Sequence, residues 1–167
     1  MPILLRGIEG IKAYSGFNLG KSSWLEVNQE MINLFAAAID DGDRTLLGQK
    51  TTNEKNLLHG VHAPNYLVAS LMIPMLDDIY LLEDTGQGMH CGINRLRFLA
   101  PVPVNSSIQL DATLKSVEVV GDEGQLVLEC VMECDALKDP VMRAEMLYRF
   151  CPLSHTGTPP VDLCEGG

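Results

Sequence analysis

Residues 64–82 form one long helical stretch that is apolar nearly all round, and few folds have room for such a helix. Leu67, Leu71, Met75 and Ile79 recur every four residues, and Val68, Met72 and Ile73 spread the apolar surface around the rest of the circumference. A helix of that kind is buried inside other structure rather than laid on a surface. Pro64 is tolerated in a first turn, where its missing N–H has no partner to lose. Pro74, in the interior, predicts a kink. After Gly86-Gln87-Gly88 the periodicity switches to two, which predicts strands over 89–98, 107–119, 124–136 and 140–151. In the third, Leu126, Leu128, Cys130, Met132 and Cys134 point one way while Glu129, Glu133 and Asp135 point the other. In the fourth, Met142, Ala144, Met146, Tyr148 and Phe150 share a face. Half-apolar antiparallel strands need a cover, and the helix at 64–82 is the one candidate long enough. The pattern therefore reads as α+β, an antiparallel sheet around an enclosed helix.

Earlier in the chain, 22–27 alternates toward a strand with Trp24 as its expected inward anchor. Asn28 offers a side chain to cap a helix over 28–39, with Met31, Ile32, Phe35 and Ile39 on one face. Gly42, among three Asp residues, ends it, and the polar run 44–56 has the composition of an active-site loop. No repeat or linker divides the chain, so 1–152 reads as a single domain and 153–167, rich in Pro, Gly, Thr and Ser, as a flexible C-terminal tail.

The 167 residues suffice for one domain with a real core. A net charge of −10, with only 12 Lys and Arg that never cluster in sequence, argues against nucleic acid or an anionic membrane as partner. No apolar run reaches the roughly 18 residues that span a bilayer. The apolar part of 1–6 is too short for a secretory signal, so a soluble, cytoplasmic location is expected. Cys91, Cys130, Cys134, Cys151 and Cys164 show no Cys-x-x-Cys spacing, and neither a metal nor another cofactor is expected. Cys130 and Cys134 lie on an apolar strand face, where Cys packs as a small hydrophobe.

Three segments carry a resemblance. Phe35-Ala36-Ala37-Ala38-Ile39-Asp40-Asp41 is followed by a polar loop and then Ala63-Pro64-Asn65-Tyr66 at the start of the long helix. Leu19-Gly20-Lys21-Ser22-Ser23-Trp24-Leu25-Glu26-Val27 resembles the entry strand of the same pattern. Residues 91–102, Cys91-Gly92-Ile93-Asn94-Arg95-Leu96-Arg97-Phe98-Leu99-Ala100-Pro101-Val102, match a Y-G-L-x-x-V-R-F-x-x-P-V signature. Together they resemble the MaoC-like (R)-specific enoyl-CoA hydratases and dehydratases, within them the NodN-like branch. The likeness runs nearly the whole chain to Phe150. It implies the hotdog fold, an antiparallel sheet wrapped around a long central helix.

The resemblance also implies a chemistry. Enzymes of the family add water to, or remove it from, an enoyl or 3-hydroxyacyl thioester. Backbone N–H groups at the start of the central helix polarise the thioester oxygen, and an Asp and a His trade roles as acid and base. Asp41 matches the family's Asp. The position of its partner His is Leu46, and the His of the helix start falls at Pro64. The catalytic pattern is half missing. Asp41 otherwise caps the helix end or is solvated with Asp40 and Asp43, although three carboxylates in four residues favour a raised pKa for one of them. His59 and His62, just before the central helix, and His90, on the next strand, are the candidates to supply a relocated imidazole; a loop or edge histidine is the ordinary reading of each. Asn65 and Tyr66 are expected at the substrate, through a backbone N–H and a hydroxyl or packing surface. Arg97 resembles a basic residue of the family's substrate strand. Surface solvation is its ordinary role, and pairing with a carboxylate or a coenzyme A phosphate its functional one; Arg95 beside it is read the same way.

Three functions fit. The first is a hydratase or dehydratase, a lyase acting on an acyl thioester carried by coenzyme A or an acyl carrier, or on a related polyketide-like substrate, with Asp41 as the acid–base residue. The second is a same-fold isomerase, cyclase or thioesterase of specialised metabolism, with one carboxylate in an apolar pocket. The third is a non-catalytic partner subunit of a heteromeric hydratase. Leu46 and Pro64 supply no imidazole, so weak hydration of short enoyl-CoA is expected. A homodimer joined through the sheets, or a heteromer, is expected from apolar outer positions taken as Val117, Val119, Val127 and Val131.

Overall fold

The computed structural model describes residues 1–39 and 62–152; Asp41, Leu46, His59, the 44–56 run and the 153–167 tail lie outside the described residues. The elements are β1 (Ile3–Arg6), α1 (Gly7–Lys12), β2 (Asn18–Lys21), β3 (Leu25–Val27), α2 (Gln29–Ala38), α3 (Asn65–Ser70), α4 (Met72–Ile79), β4 (Tyr80–Glu83), β5 (Thr85–Phe98), β6 (Ser106–Val120), β7 (Glu123–Cys134) and β8 (Met142–Pro152). The main sheet runs β2-β6-β7-β8-β5, antiparallel throughout, with β3 also on β6. Alternation decides its faces. Leu126, Leu128, Cys130, Met132 and Cys134 on β7 are buried, as are Met142, Ala144, Met146 and Phe150 on β8. They form one core with Leu67, Val68, Met72, Met75, Leu76 and Ile79 of α3 and α4. A sheet wrapped round one central helix is the hotdog arrangement.

The helix is interrupted, but not at the proline itself. Pro74 has no N–H to give to the Ser70 carbonyl, so the regular pattern lapses one turn earlier, at Leu71. Leu71 stays right-handed (φ −70°, ψ −12°), and Met75 N–H reaches Leu71 O at 3.3 Å, so α3 and α4 continue as one bent rod. The rod ends at Ile79, three residues short of the expected 82. Residues 80–83 instead form β4, which pairs in parallel with β1 from Ile3↔Tyr80 to Arg6↔Glu83. Nothing in the period of 80–83 distinguishes it from a helical turn; the pairing with β1 does.

Two further expectations are corrected. Trp24 is 51% exposed, not an inward anchor. The 22–27 segment is not one strand. Ser22 turns inward, its hydroxyl accepting from Leu110 N–H at 3.0 Å, and Ser23 N–H is held by Asp78 at the end of α4. The phase resets between β2 and β3, and Val27 becomes the fully buried residue. The second correction concerns the outer face. Val117 and Val119 do not lie beside Val127 and Val131. A bulge at Lys115 shifts the β6 register, so Leu114 faces Leu128, Ser116 faces Val127 and Val117 faces Leu126. Val117 thereby joins the core side, and only Val127, Val131 and Leu147 remain as outward apolar positions on β7 and β8.

Elsewhere the local reading holds. Asn28 caps α2 by accepting Met31 N–H at 2.9 Å, and the four long strands sit where the alternation put them. Gly124 is required by packing: a Cβ there would lie 2.2 Å from Cζ of Phe150, a ring with no exposure. Gly124→Ala should cost about 1–3 kcal/mol, as overpacking of a filled core does, read as a lower urea midpoint. Gly10→Ala in α1, whose Cβ meets nothing nearer than 3.9 Å, serves as the comparison and should leave the midpoint unchanged or higher.

Candidate active site

The bent helix does not fill the space above the β5 edge of the sheet. Tyr66, Ala69, Ser70 and Ile73 on the helix and His90, Gly92, Ile93 and Met146 on β5 and β8 line an open groove of about 350 Å³. The helical residues recur at three and four, which places them on one face. The strand residues follow from register: His90 is opposite Tyr148 and Ile93 is opposite Met146. The walls are mostly apolar, with the Tyr66 and Ser70 hydroxyls and the His90 ring as the polar side-chain groups.

His90 is half-buried, and it lies in the middle of β5 rather than at its start. Its Nδ1 is buried with no hydrogen-bond partner among the described residues. Buried polar atoms are nearly always paired, and an exception calls for an explanation. Burial holds the imidazole below its ordinary pKa, opposed by the charge of Asp77 on α4. The ring is therefore neutral near pH 7. The Tyr148 ring packs edge-on against it with centroids 5.1 Å apart. Burial, then Asp77, raises the Tyr148 phenol above its usual range. Gly88 makes this packing possible, since a Cβ there would lie 2.2 Å from the Tyr148 hydroxyl.

The other candidates are spread around the groove. Tyr66 stands at its lip, largely exposed, edge-on to Phe98 at 5.6 Å. Asn65 opens α3 and is exposed, outside the groove lining. His62 is half-buried, forms a bridge with Pro103 and also does not line the groove. Arg97 lies on the opposite face of β5, its guanidinium donating to Leu96 O at 2.9 Å. Arg95 lies on that face too, 3.7 Å from Glu145. Asp41 and His59 lie outside the described residues. Among the described residues no group of three or more His, Cys, Asp or Glu has the geometry to hold a metal ion.

Sequence reasoning did not single out Ser70, Ile93, Met146, Tyr148 or Asp77. Ser70 could have been found as the next turn after Tyr66 on one helical face. Tyr148 and Met146 needed the β5–β8 register, which passes through three bulges.

No family model matches the chain. Among curated proteins it is 26% identical to 3-hydroxyacyl-thioester dehydratase Z of Mycobacterium tuberculosis over 151 residues, covering 86% of this chain and 95% of that protein. It is 30% identical to nodulation protein N of Rhizobium leguminosarum over 95 residues, covering 56% of this chain and 59% of the relative. Among solved structures, a monoamine oxidase regulatory protein from Archaeoglobus superposes with a TM-score of 0.71 at 19% identity, over 92% of this chain and 97% of that one. A MaoC-like dehydratase from Rhodospirillum rubrum gives 0.67 at 15% identity, over 84% and 94%. A HadBC (3R-hydroxyacyl-ACP dehydratase) complex from Mycobacterium tuberculosis gives 0.61 at 18%, over 81% and 96%. The resemblance to MaoC-like dehydratases holds, and the fold is theirs.

The His90 environment has a pH signature. Its folded pKa is below the unfolded value of about 6.5, so the unfolded chain binds the extra proton first. The contribution to stability is full above about pH 6.5 and is lost as pH falls through the lower folded value. His90→Gln should flatten that part of the curve, with urea midpoints at pH 7.5 and 5.5 closer together than in the parent protein.

Proposed function

We propose that this chain is a hydratase or dehydratase, a lyase of acyl thioesters, with Asp41 and His90 as its acid–base pair. The observation that carries the reading is the His90 imidazole, neutral and half-buried in the groove under the central helix, with an unpartnered Nδ1. The similarity to 3-hydroxyacyl-thioester dehydratase Z over 86% of the chain supports the substrate class. In the dehydration direction a base takes the proton from the carbon next to the thioester carbonyl. The electron pair forms the carbon–carbon double bond, and the 3-hydroxyl leaves as water after accepting a proton from an acid. Hydration reverses each step. Neutral His90 suits the base; Asp41, crowded by Asp40 and Asp43 in sequence, suits the acid. Such a pair takes the place of the family's Asp and His, whose His position is Leu46 here. His59 and His62 remain the other histidines near the helix start, and Tyr66 at the groove lip is placed to contact an acyl chain.

Enoyl-thioester absorbance followed on 3-hydroxyacyl and enoyl substrates tests this directly. Asp41→Asn and His90→Gln should each lower the rate by about two to four orders of magnitude, the range for a positioned acid or base. His62→Ala should change it little. Near-parental turnover in His90→Gln sinks the relocated imidazole; near-parental turnover in Asp41→Asn sinks the assignment to this chemistry.

The active unit in this reading is a dimer. β5 is an edge strand of 14 residues with Met89, Cys91 and Ile93 exposed, beside Tyr66 and Ile73 of the helix. Among the described residues nothing pairs with the outer edge of β5; a long, apolar edge invites pairing with another strand, and a second copy joined edge to edge across β5 would close the groove. The heteromeric dehydratase complex among the similar structures supports a different second chain as the other arrangement. Light scattering should give twice the 18.3 kDa chain mass or a multiple of it; a monomer at micromolar concentration would point to a missing partner.

A further inference from the structure

The outer face of β5 and β8 gathers charge that the sequence scatters. Four of the chain's six arginines, Arg95, Arg97, Arg143 and Arg149, belong to these two strands. Neither strand carries an Asp, and Glu145 is the one Glu of the pair. Lys115 on β6 and Arg95 both reach Glu145, at 2.5 and 3.7 Å, and offset its charge and that of Glu129, the β7 residue opposite it. Burial opposes, and these partners favour, its ionised form, and the balance lowers its pKa. In a chain of net charge −10 this is a local reversal of sign.

Arg97 and Arg143 make the reversal costly. They are direct cross-strand partners, both exposed, and neither has a carboxylate within salt-bridge distance among the described residues. Like charges placed opposite one another destabilise a sheet. Arg143 has Val131, not an acid, as its other neighbour. The like pair is at odds with folding stability alone and fits a surface that meets negative charge from outside.

Resting on the dehydratase reading above, we propose that this face docks an acidic carrier protein that presents the acyl thioester. Shape favours a protein over coenzyme A. From Arg143 to Arg149 the outward positions run about 20 Å along β8, on the face of the sheet away from the groove, a span suited to an acidic helix rather than to one phosphate. Position supports delivery as well. Arg97 and Arg143 sit where β5 ends, and the next residue, Phe98, touches Tyr66 at the lip of the groove. A flexible arm carrying the acyl group would enter there, past the helix start, without crossing a β5 edge that a second copy occupies. Steering by complementary charge would act chiefly on the rate of encounter.

The test is binding of a purified acidic acyl carrier protein, bearing its phosphopantetheine arm, to the full chain by calorimetry, at 20 and 300 mM salt. Binding should weaken at least tenfold at the higher salt, and again at least tenfold in Arg97→Glu/Arg143→Glu and in Arg97→Gln/Arg143→Gln, which dissolves the like-charge pair. The Gln variant removes repulsion, so its thermal midpoint should equal or exceed the parent's, which guards against a folding artefact. Coenzyme A at 1 mM should not displace the carrier. Binding unaffected by either double variant, or displaced by coenzyme A, overturns the docking surface. Carrier binding with the expected variant losses, yet no turnover of its enoyl thioester, would leave the surface standing and overturn the reaction reading instead.

Discussion

Everything in this molecule is referred to the contact between the bent α3–α4 rod and the inner face of β6, β7 and β8. Leu67, Met72, Met75, Leu76 and Ile79 meet Leu110, Leu114, Leu128, Met132 and Met146 in one buried cluster. Each such side chain contributes about 1.5–3 kcal/mol when fully buried, so this contact outweighs any single polar interaction in the chain. The surface ion pairs, such as Arg6 with Glu83 at 2.6 Å, are exposed on both sides and contribute little. The rod also sets the groove, because its free face, not its packed one, carries Tyr66, Ser70 and Ile73.

That contact explains what was legible in the sequence. A period of two with apolar residues on one phase, and a helix with apolar residues on most phases, have few mutual solutions, and the enclosed helix is one of them. The alternation over 89–98, 107–119, 124–136 and 140–151 found the four long strands, with ends displaced by up to four residues. What resisted reading has a common cause. Wherever one residue is added or turned aside, every later side chain changes face. Lys115 does this on β6 and moves Val117 inward; Ser22 does it between β2 and β3 and leaves Trp24 in solvent. The β1–β4 pair was invisible for another reason. Two four-residue segments some 75 positions apart gain their identity only from each other.

The site was legible to the same degree and for the same reasons. His90 was visible as a histidine on a strand, but its role as a groove residue depends on which side of β5 it takes, and β5 contains three register shifts against β8. Tyr148 could be placed on the core side by alternation, whereas its edge-on packing against His90 required the register and the absent Cβ of Gly88. Asn65 and Tyr66 were named together from the helix start, yet one helical step of about 100° separates an exposed residue from one at the groove.

The bulges also divide the chemistry of β5. Between Asn94 and Arg97 the strand takes on one extra residue, and Arg95 adopts a left-handed φ of +52°, a conformation that non-glycine residues seldom hold without tertiary support. Support is present on both faces: Glu145 draws Arg95 outward, and Leu96 and Phe98 pack inward against the core. A regular strand alternating from Arg97 would put residue 95 on the outer face and residue 96 inside, but would send Ile93 outward and His90 inward with the wrong neighbours. The bulges let Ile93 and His90 both face the groove while Arg95 and Arg97 both face out. One edge strand thus presents an uncharged, apolar wall with an imidazole on one side and the two arginines, Arg95 and Arg97, on the other. Burial on the groove side lowers the pKa of His90, and the charge of Asp77 opposes it.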